Sequence, residues 1–434
     1  MIAMFAVTLI VENKIKKSDF AWASHFLWFL GAVVLGLIFS PYGMMPWEKG
    51  LFQLVGILMM IMVAAYILRY VKNNPQRLVS LLRFFLVVLG SYSAIGIAQF
   101  LLGTLTPFSL SFDFLNTLAG GSGVEAQVWR DGGYMGPFKR ANSLGAEPTA
   151  FATYLCVGLG LSLVRLGLLG RHCQSISANL VPHWAAYSIV IGMMVTFSIN
   201  SWLMFMVVLC SLFIVSSRIS LAMLLKVAAG LTFLLLILFL AASLSGEQFS
   251  DKFASLALIT LDAEVGTDVA TEQVSALAMA SNLEVTYQNF TNHPVLGGGV
   301  GSHPIAYKIF VPGYMSASKI DISGLNADDA ASLVFRLLSE TGVVGFVIFI
   351  FGLASVIYRA RKAILFDIET GTLSLYRVIA IGITASSIGL MGTYLTRLGR
   401  YYDPIFWLAI ALTVCATYCL SNGEKLPGDS RKGI

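Results

Sequence analysis

The sequence predicts an all-α polytopic integral membrane protein, with about ten or eleven transmembrane helices and one large outer loop. Three observations carry this. Apolar residues make up 57% of the 434 and charged residues only 12%, with 29 Phe, 16 Met and a mean hydropathy of +0.79, a composition suited to lipid. The apolar residues fall in runs near the roughly 20 that a bilayer core requires. The charges sort to two sides of those runs.

In chain order the expected spans are 23–40, 50–70, 78–103, 148–166, 183–198, 200–217, 223–245, 337–357, 375–396 and 403–420. The run 183–217 is too long for one helix and divides at Ser198, Asn200 and Ser201, a polar kink able to turn the chain. Pro148 marks where the fourth span begins, since a missing N–H costs nothing at the first helical position. Residues 2–12 are apolar but short: an eleventh span, an interfacial segment or part of the first hairpin. They do not read as a cleaved signal peptide, because no basic region precedes them and no small-residue cleavage site follows.

With residues 13–19 inside, 18 of the 28 basic residues fall on the inner side with six of the 23 acidic ones, leaving ten basic and 17 acidic residues outside. This obeys the positive-inside rule. It places the C-terminal tail in the cytoplasm and the 105–147 and 247–336 loops outside. The net charge of +5 therefore reflects cytoplasmic anchoring and gives no argument for nucleic acid. Cys156, Cys173, Cys210, Cys415 and Cys419 lie in spans or on the inner side, so neither disulfides nor cysteine metal sites are expected.

The first outer region closes with VWRDGGYMGPFKRANSLGAEPTAFATYL, residues 128–155. Arg130, Lys139 and Arg140 stand just ahead of the helix at Pro148, beside the positive end of its dipole. Cations there are electrostatically awkward, and an anion bound between them would relieve the conflict; a plain solvated basic loop is the competing reading. The strip TRLGRYYDP adds Arg397 and Arg400 on the same side, as part of such a mouth or as interfacial anchors of two helix ends.

The insert 247–336 is the largest polar object in the chain, and loops of that length are usually functional or unstructured. A helix is expected around 273–291, then a turn at His293-Pro294, then Gly297, Gly298, Gly299 and Gly301. Such glycines allow close backbone approach or present bare N–H groups. As a phosphate cradle the run is weak, with no Walker-type GKT or GKS and no preceding strand. His293 and His303 flank it without further ligands at metal spacing. Beyond Asn326, Leu333, Leu337 and Leu338 form an apolar stripe at helical spacing. Asp328 and Asp329 suit the start of that helix, and Arg336 and Glu340, four apart, can pair. The sequon Asn289-Phe290-Thr291 reads as accidental.

The EPTAFATYL segment after an arginine, the HPVLGGGVG turn, and the LLSETGVVG helix running into a span resemble the O-antigen polymerase and O-antigen ligase superfamily. So does the order of parts from about 80 to 420, with a DPIFW-like segment before the last helix. The resemblance implies a GT-C-like membrane glycosyltransferase, a polysaccharide polymerase needing no metal or other cofactor. Its implied reaction is polymerisation of undecaprenyl-pyrophosphate-linked oligosaccharide repeat units at the periplasmic face of the bacterial inner (cytoplasmic) membrane, for O-antigen, capsule or exopolysaccharide. Implied partners are the undecaprenyl-pyrophosphate-linked glycan, membrane lipid, and a chain-length regulator and flippase of the same pathway. The chain then divides into N-terminal helices 1–246, a periplasmic loop 247–336, C-terminal helices 337–421 and a cytoplasmic tail 422–434.

Arg140, and next Arg130, match the family's arginine ahead of the EP motif, implying stabilisation of departing pyrophosphate. Glu147 is the matching carboxylate, either the base for the acceptor hydroxyl or a support for a catalytic arginine. Lys139, Arg397, Arg336, His303, Asp329 and Gly299 complete the expected substrate-binding set. The insert holds ten carboxylates against Lys252, Lys308, Lys319 and Arg336. Such an acidic cover suits a neutral or basic sugar chain, over a basic floor of Arg130, Lys139, Arg140 and Arg397. Ligases carry a His-Asn pair where this chain has Ala331 and Ser332, a departure that favours a polymerase. A ligase, a lipid-linked oligosaccharide flippase and a nonenzymatic assembly subunit are the alternatives.

Overall fold

A computed structural model describes residues 17–106, 134–135, 138–141, 143, 148–216, 274–310, 327–369, 373–397 and 400–422. A 3₁₀ turn, Lys17–Ala23, leads into α1 (Ser24–Ile38), α2 (Trp47–Asn73) and α3 (Gln76–Leu105). A two-stranded antiparallel ribbon, β1 (Tyr134–Met135) and β2 (Phe138–Lys139), precedes α4 (Pro148–Arg165), α5 (Arg171–Ser177), α6 (His183–Val195) and α7 (Ile199–Ser216). Then come α8 (Val274–Asn292), α9 (His303–Phe310), α10 (Leu333–Glu369), α11 (Leu375–Arg397) and α12 (Pro404–Ser421).

Among the described residues, seven helices are long and apolar enough to cross a membrane: Asp19–Ile38, Trp47–Asn73, Gln76–Leu105, Pro148–Arg165, Leu333–Glu369, Leu375–Arg397 and Pro404–Ser421. The chain is a multi-pass membrane protein by this measure. The expected division of 183–217 is present as two shorter apolar helices. α6 stops at Val195, Phe197 takes a positive φ of 45°, and α7 starts at Ile199. Ser198 Oγ lies 3.1 Å from Thr149 Oγ1, so the kink is tied to the first turn of α4. α4 begins at Pro148, as its imino nitrogen predicts. Residues 2–12 and the expected span 223–245 lie outside the described residues.

α11 is the centre of the bundle, packed by α4, α7, α10 and α12. Small residues make this possible, because without a hydrophobic drive between helices in lipid, close backbone approach supplies the contact energy. Gly160 faces the carbonyl of Gly382, where a Cβ would collide, and a Cβ on Gly382 would lie 2.6 Å from Leu161. Ser386 Oγ accepts from Gly160 N at 2.9 Å. Around this centre, Phe26 and Phe29 of α1 meet Trp407 and Phe349 edge-on, with centroids 5.1 and 4.9 Å apart, the arrangement the ring quadrupoles favour.

Ion pairs among the described residues occur at two ends with an apolar middle. At one end Lys72 meets Asp19 at 2.7 Å, Arg377 meets Asp367, and Arg165 Nε donates to the Val181 carbonyl at 3.0 Å. At the other stand Lys49–Asp328, Arg336–Glu340 and Arg400–Asp329. The starts of α2, α4 and α10 and the ends of α3, α6 and α11 share this second end, which carries nearly all of the expected site.

Candidate functional site

The glycine turn and the ETG motif form one structure. α10 is broken at Gly342, whose φ of 59° and ψ of −164° interrupt the helical ladder. Four of the freed groups are met by residues 294–299. Gly298 N and Gly299 N donate to the carbonyls of Ser339 and Glu340, both at 2.9 Å, while Val343 N and Val344 N donate to the carbonyls of Pro294 and Val295 at 2.9 and 3.2 Å. A helix break in lipid is tolerated only where neighbours satisfy the backbone, and here the turn supplies four such partners. Gly297 and Gly299 take φ of 67° and 91°. A Cβ on Gly297 would lie 2.5 Å from the Glu340 carbonyl carbon, and one on Gly299 would lie 2.9 Å from the Gly36 oxygen. The clasp thus fixes the C-terminal end of α1 as well, helped by Ser40 Oγ donating to Gly298 O at 2.6 Å.

Behind the clasp runs a buried polar chain. Tyr42 OH donates to Asn289 Oδ1 at 2.6 Å, and Asn289 Nδ2 donates to Ser339 Oγ at 2.8 Å. Ser339 Oγ lies 3.0 Å from His303 Nδ1, and His303 Nε2 lies 2.9 Å from Asn282 Oδ1. Because Asn282 Oδ1 only accepts, Nε2 carries the proton and Nδ1 accepts from the serine hydroxyl. The tautomer is fixed by its neighbours. Burial, then the charges of Arg336 and Lys49, push the His303 pKa down to about 3. His303 is therefore neutral and fully bonded, a strut with no lone pair to spare for proton transfer.

Linkage gives a prediction. Its pKa is depressed from 6.5 to about 3 on folding, so the unfolded chain binds the extra proton first. The stability contribution is full above about pH 6.5 and falls as pH drops toward 3, by up to about 1.4 kcal/mol per unit. The melting temperature in detergent should decline below pH 6.5, and His303→Gln should flatten that decline. An identical pH slope in the variant would count against the assignment.

Beside His303 lies a charge cluster. Arg336, 1% exposed, places Nε 3.2 Å from Glu340 Oε2 and a terminal nitrogen 3.5 Å from Asp329 Oδ1, with its guanidinium 4.9 Å above the Tyr401 ring. Glu340, fully buried, also accepts from His303 N at 3.3 Å. Asp329 Oδ2 accepts from Arg400 Nε at 2.9 Å, so one carboxylate joins a buried arginine to an exposed one. Burial, with Glu340 beside it, raises the Tyr401 hydroxyl well above its usual range. The Lys49 hydrogen bond holds the Asp328 carboxyl below the usual range.

The expected pairing of Arg336 with Glu340 is present. The expectation that Asp328 and Asp329 cap the helix is corrected: Ser332 Oγ accepts from Val334 N and Phe335 N at 3.2 and 3.4 Å. Ala330 and Ala331 take φ of 57° and 55°, turning the two aspartates off the helix axis toward Lys49 and Arg400. Arg336, His303, Asp329 and Gly299 therefore come together, with the Gly299 N–H already committed to Glu340. Asn289 of the sequon is fully buried and bonded, as an accidental sequon requires.

Arg140 sits apart from this cluster at the same end. Its Nε donates to Thr196 O at 3.4 Å, Ala141 N donates to Val195 O, and Gln99 brackets Ser143. Lys139 belongs to β2 by its backbone; Arg130 and Glu147 lie outside the described residues. Arg397 is half-buried at the end of α11 and makes no hydrogen bond or ion pair among the described residues. Arg400 and Asp403 act electrostatically on Tyr154, two turns into α4, so Arg400 lies within reach of that helix.

No known family and no curated protein matches this chain. Sequence reasoning read Glu340 only as the partner of Arg336, and missed Ser339, Asn282 and Tyr42. The spacing of Arg336, Ser339 and Glu340 at three and four residues was the available signal for Glu340 and Ser339. No group of three or more His, Cys, Asp or Glu positioned for a metal is found among the described residues.

Proposed function

We propose that this protein polymerises undecaprenyl-pyrophosphate-linked oligosaccharide repeat units at the outer face of a bacterial inner membrane. The observation that carries this reading is Arg397, a half-buried guanidinium without a counter-charge among the described residues, at the end of α11, the helix that packs against α4. A partly desolvated cation of this kind is suited to an anion that arrives and leaves with substrate. Pyrophosphate gains charge as the glycosidic bond forms, and preorganised guanidinium groups stabilise that charge without reorganising. The large carboxylate-rich insert fits the role of glycan cover. His303, neutral and saturated, does not serve as the base, which leaves that role to Glu147 and favours a polymerase over a histidine-dependent ligase.

Arg397→Ala and Arg140→Ala should each lower polymer synthesis by about 100-fold or more, with protein level and single repeat units intact. A normal polymer ladder in both variants would overturn the reading. Purified protein in detergent with undecaprenyl-pyrophosphate oligosaccharide should extend chains, since transport needs a sealed membrane and polymerisation does not. Activity confined to sealed vesicles would point to a flippase.

A further inference from the structure

α8 has its polarity reversed. Ser281, Asn282, Thr286 and Asn289 face inward and are 0 to 3% exposed, whereas Leu283 and Tyr287, one turn apart, are 50% and 59% exposed. A helix in water buries its apolar stripe and shows its polar face. A helix against lipid does the opposite, turning polar groups toward protein partners. The inward groups of α8 have those partners: Asn289 on Ser339, Asn282 on His303, Ser281 on Tyr307.

The outward face continues into a span. Val295 is 58% exposed, and its carbonyl accepts from Val344 N, which places it beside Val343. From there Val343, Val347 and Phe351, exposed 43%, 39% and 62%, run down α10 at four-residue intervals. One apolar strip thus passes from the exposed side of a candidate span onto α8, crossed between Val295 and Tyr287 by exposed Asn292 and by exposed Thr291, whose hydroxyl donates to the Tyr287 and Gln288 carbonyls at 2.9 and 3.0 Å. Glu284 sets its depth: half-buried, its Oε1 accepts from Gln288 Nε2 at 2.8 Å on the flank of the strip. A carboxylate excludes the bilayer midplane, whereas the boundary between headgroups and acyl chains accommodates both.

We infer that α8 and the glycine turn rest on the bilayer surface, with Leu283, Tyr287 and Val295 in contact with acyl chains of the outer leaflet. This part of the insert is a lipid-contact surface and not a solvated loop. It puts the clasp, the His303 chain and the Arg336–Glu340 pair at headgroup level, and it does not depend on the proposed reaction.

The test is site-directed spin labelling of the full chain in lipid nanodiscs. Cys173 and Cys210 are replaced by Ser, the buried Cys156, Cys415 and Cys419 are retained, and single cysteines are placed at Leu283, Tyr287 and Val295. Val347→Cys gives the lipid reference and Asp328→Cys, at an exposed side chain, the water reference. The ratio of collisions with oxygen to collisions with a water-soluble nickel chelate should match Val347 and exceed Asp328 at all three positions. A ratio matching Asp328 puts the face in water and overturns the inference. Low collision with both quenchers means that protein covers the face, from this chain, a second copy or a partner, and overturns it equally. Should a cysteine variant fail to fold, a benzophenone amino acid at Tyr287 replaces the label: lipid adducts support the inference and protein adducts alone reject it.

Discussion

Gly342→Val will leave little or no folded protein after detergent extraction. The position needs a φ of 59°, and a Cβ there would lie 2.5 Å from the carbonyl carbon of Val295. Left-handed backbone costs a non-glycine residue about 1–2 kcal/mol, and a β-branched side chain makes it a genuine outlier. Overpacking adds about 1–3 kcal/mol, a large part of the roughly 5–15 kcal/mol that separates most folded chains from unfolded ones. Gly297→Ala strains the other half of the clasp, since its Cβ would meet Glu340 and Thr341. The two changes break one unit, so the double variant should lose less than the two single losses combined. Thermal melting in detergent, read with monodispersity, measures this; a Gly342→Val protein that melts with the parent would refute the clasp.

Glu340→Ala should destabilise by about 3–5 kcal/mol, because it strands a guanidinium that is 1% exposed. Asp329 stays on Arg336 at 3.5 Å but already serves Arg400. Joint replacement, Arg336→Met with Glu340→Leu, should recover most of that loss, since desolvating two charges costs about as much as their attraction returns. The comparison separates structure from function. If the double variant is stable but makes no polymer, the pair positions Asp329 and Arg400 for the reaction. A Glu340→Ala protein as stable as the parent would show that the charge is not confined.

The membrane bundle was legible because lipid leaves a strong imprint: long apolar runs give their own boundaries, and Pro148 and the Ser198 kink are local signals with local causes. The site was legible in part. Arg336 and Glu340 announce themselves by a four-residue spacing, whereas His303 and Asn282 are 21 residues apart in the chain and meet only through folding. The glycine run invited a ligand reading because bare N–H groups look alike in sequence whether they face a phosphate or a broken helix. α8 escaped detection as a lipid-facing element because its inward asparagines and serines dilute the apolar face in any window average.

The position of α11 bears on how the protein is made. Its 23 residues form the centre of the bundle, yet they leave the ribosome after every other described helix but one. α4 presents Cys156, Gly160 and Leu161 to a partner that does not yet exist. At about 5–20 residues per second, α4 waits on the order of ten to fifty seconds for α11. During that interval the insertion machinery or a chaperone in the membrane must shelter that face. Truncations that remove α11 should therefore be cleared by membrane proteases, even though every earlier helix is intact.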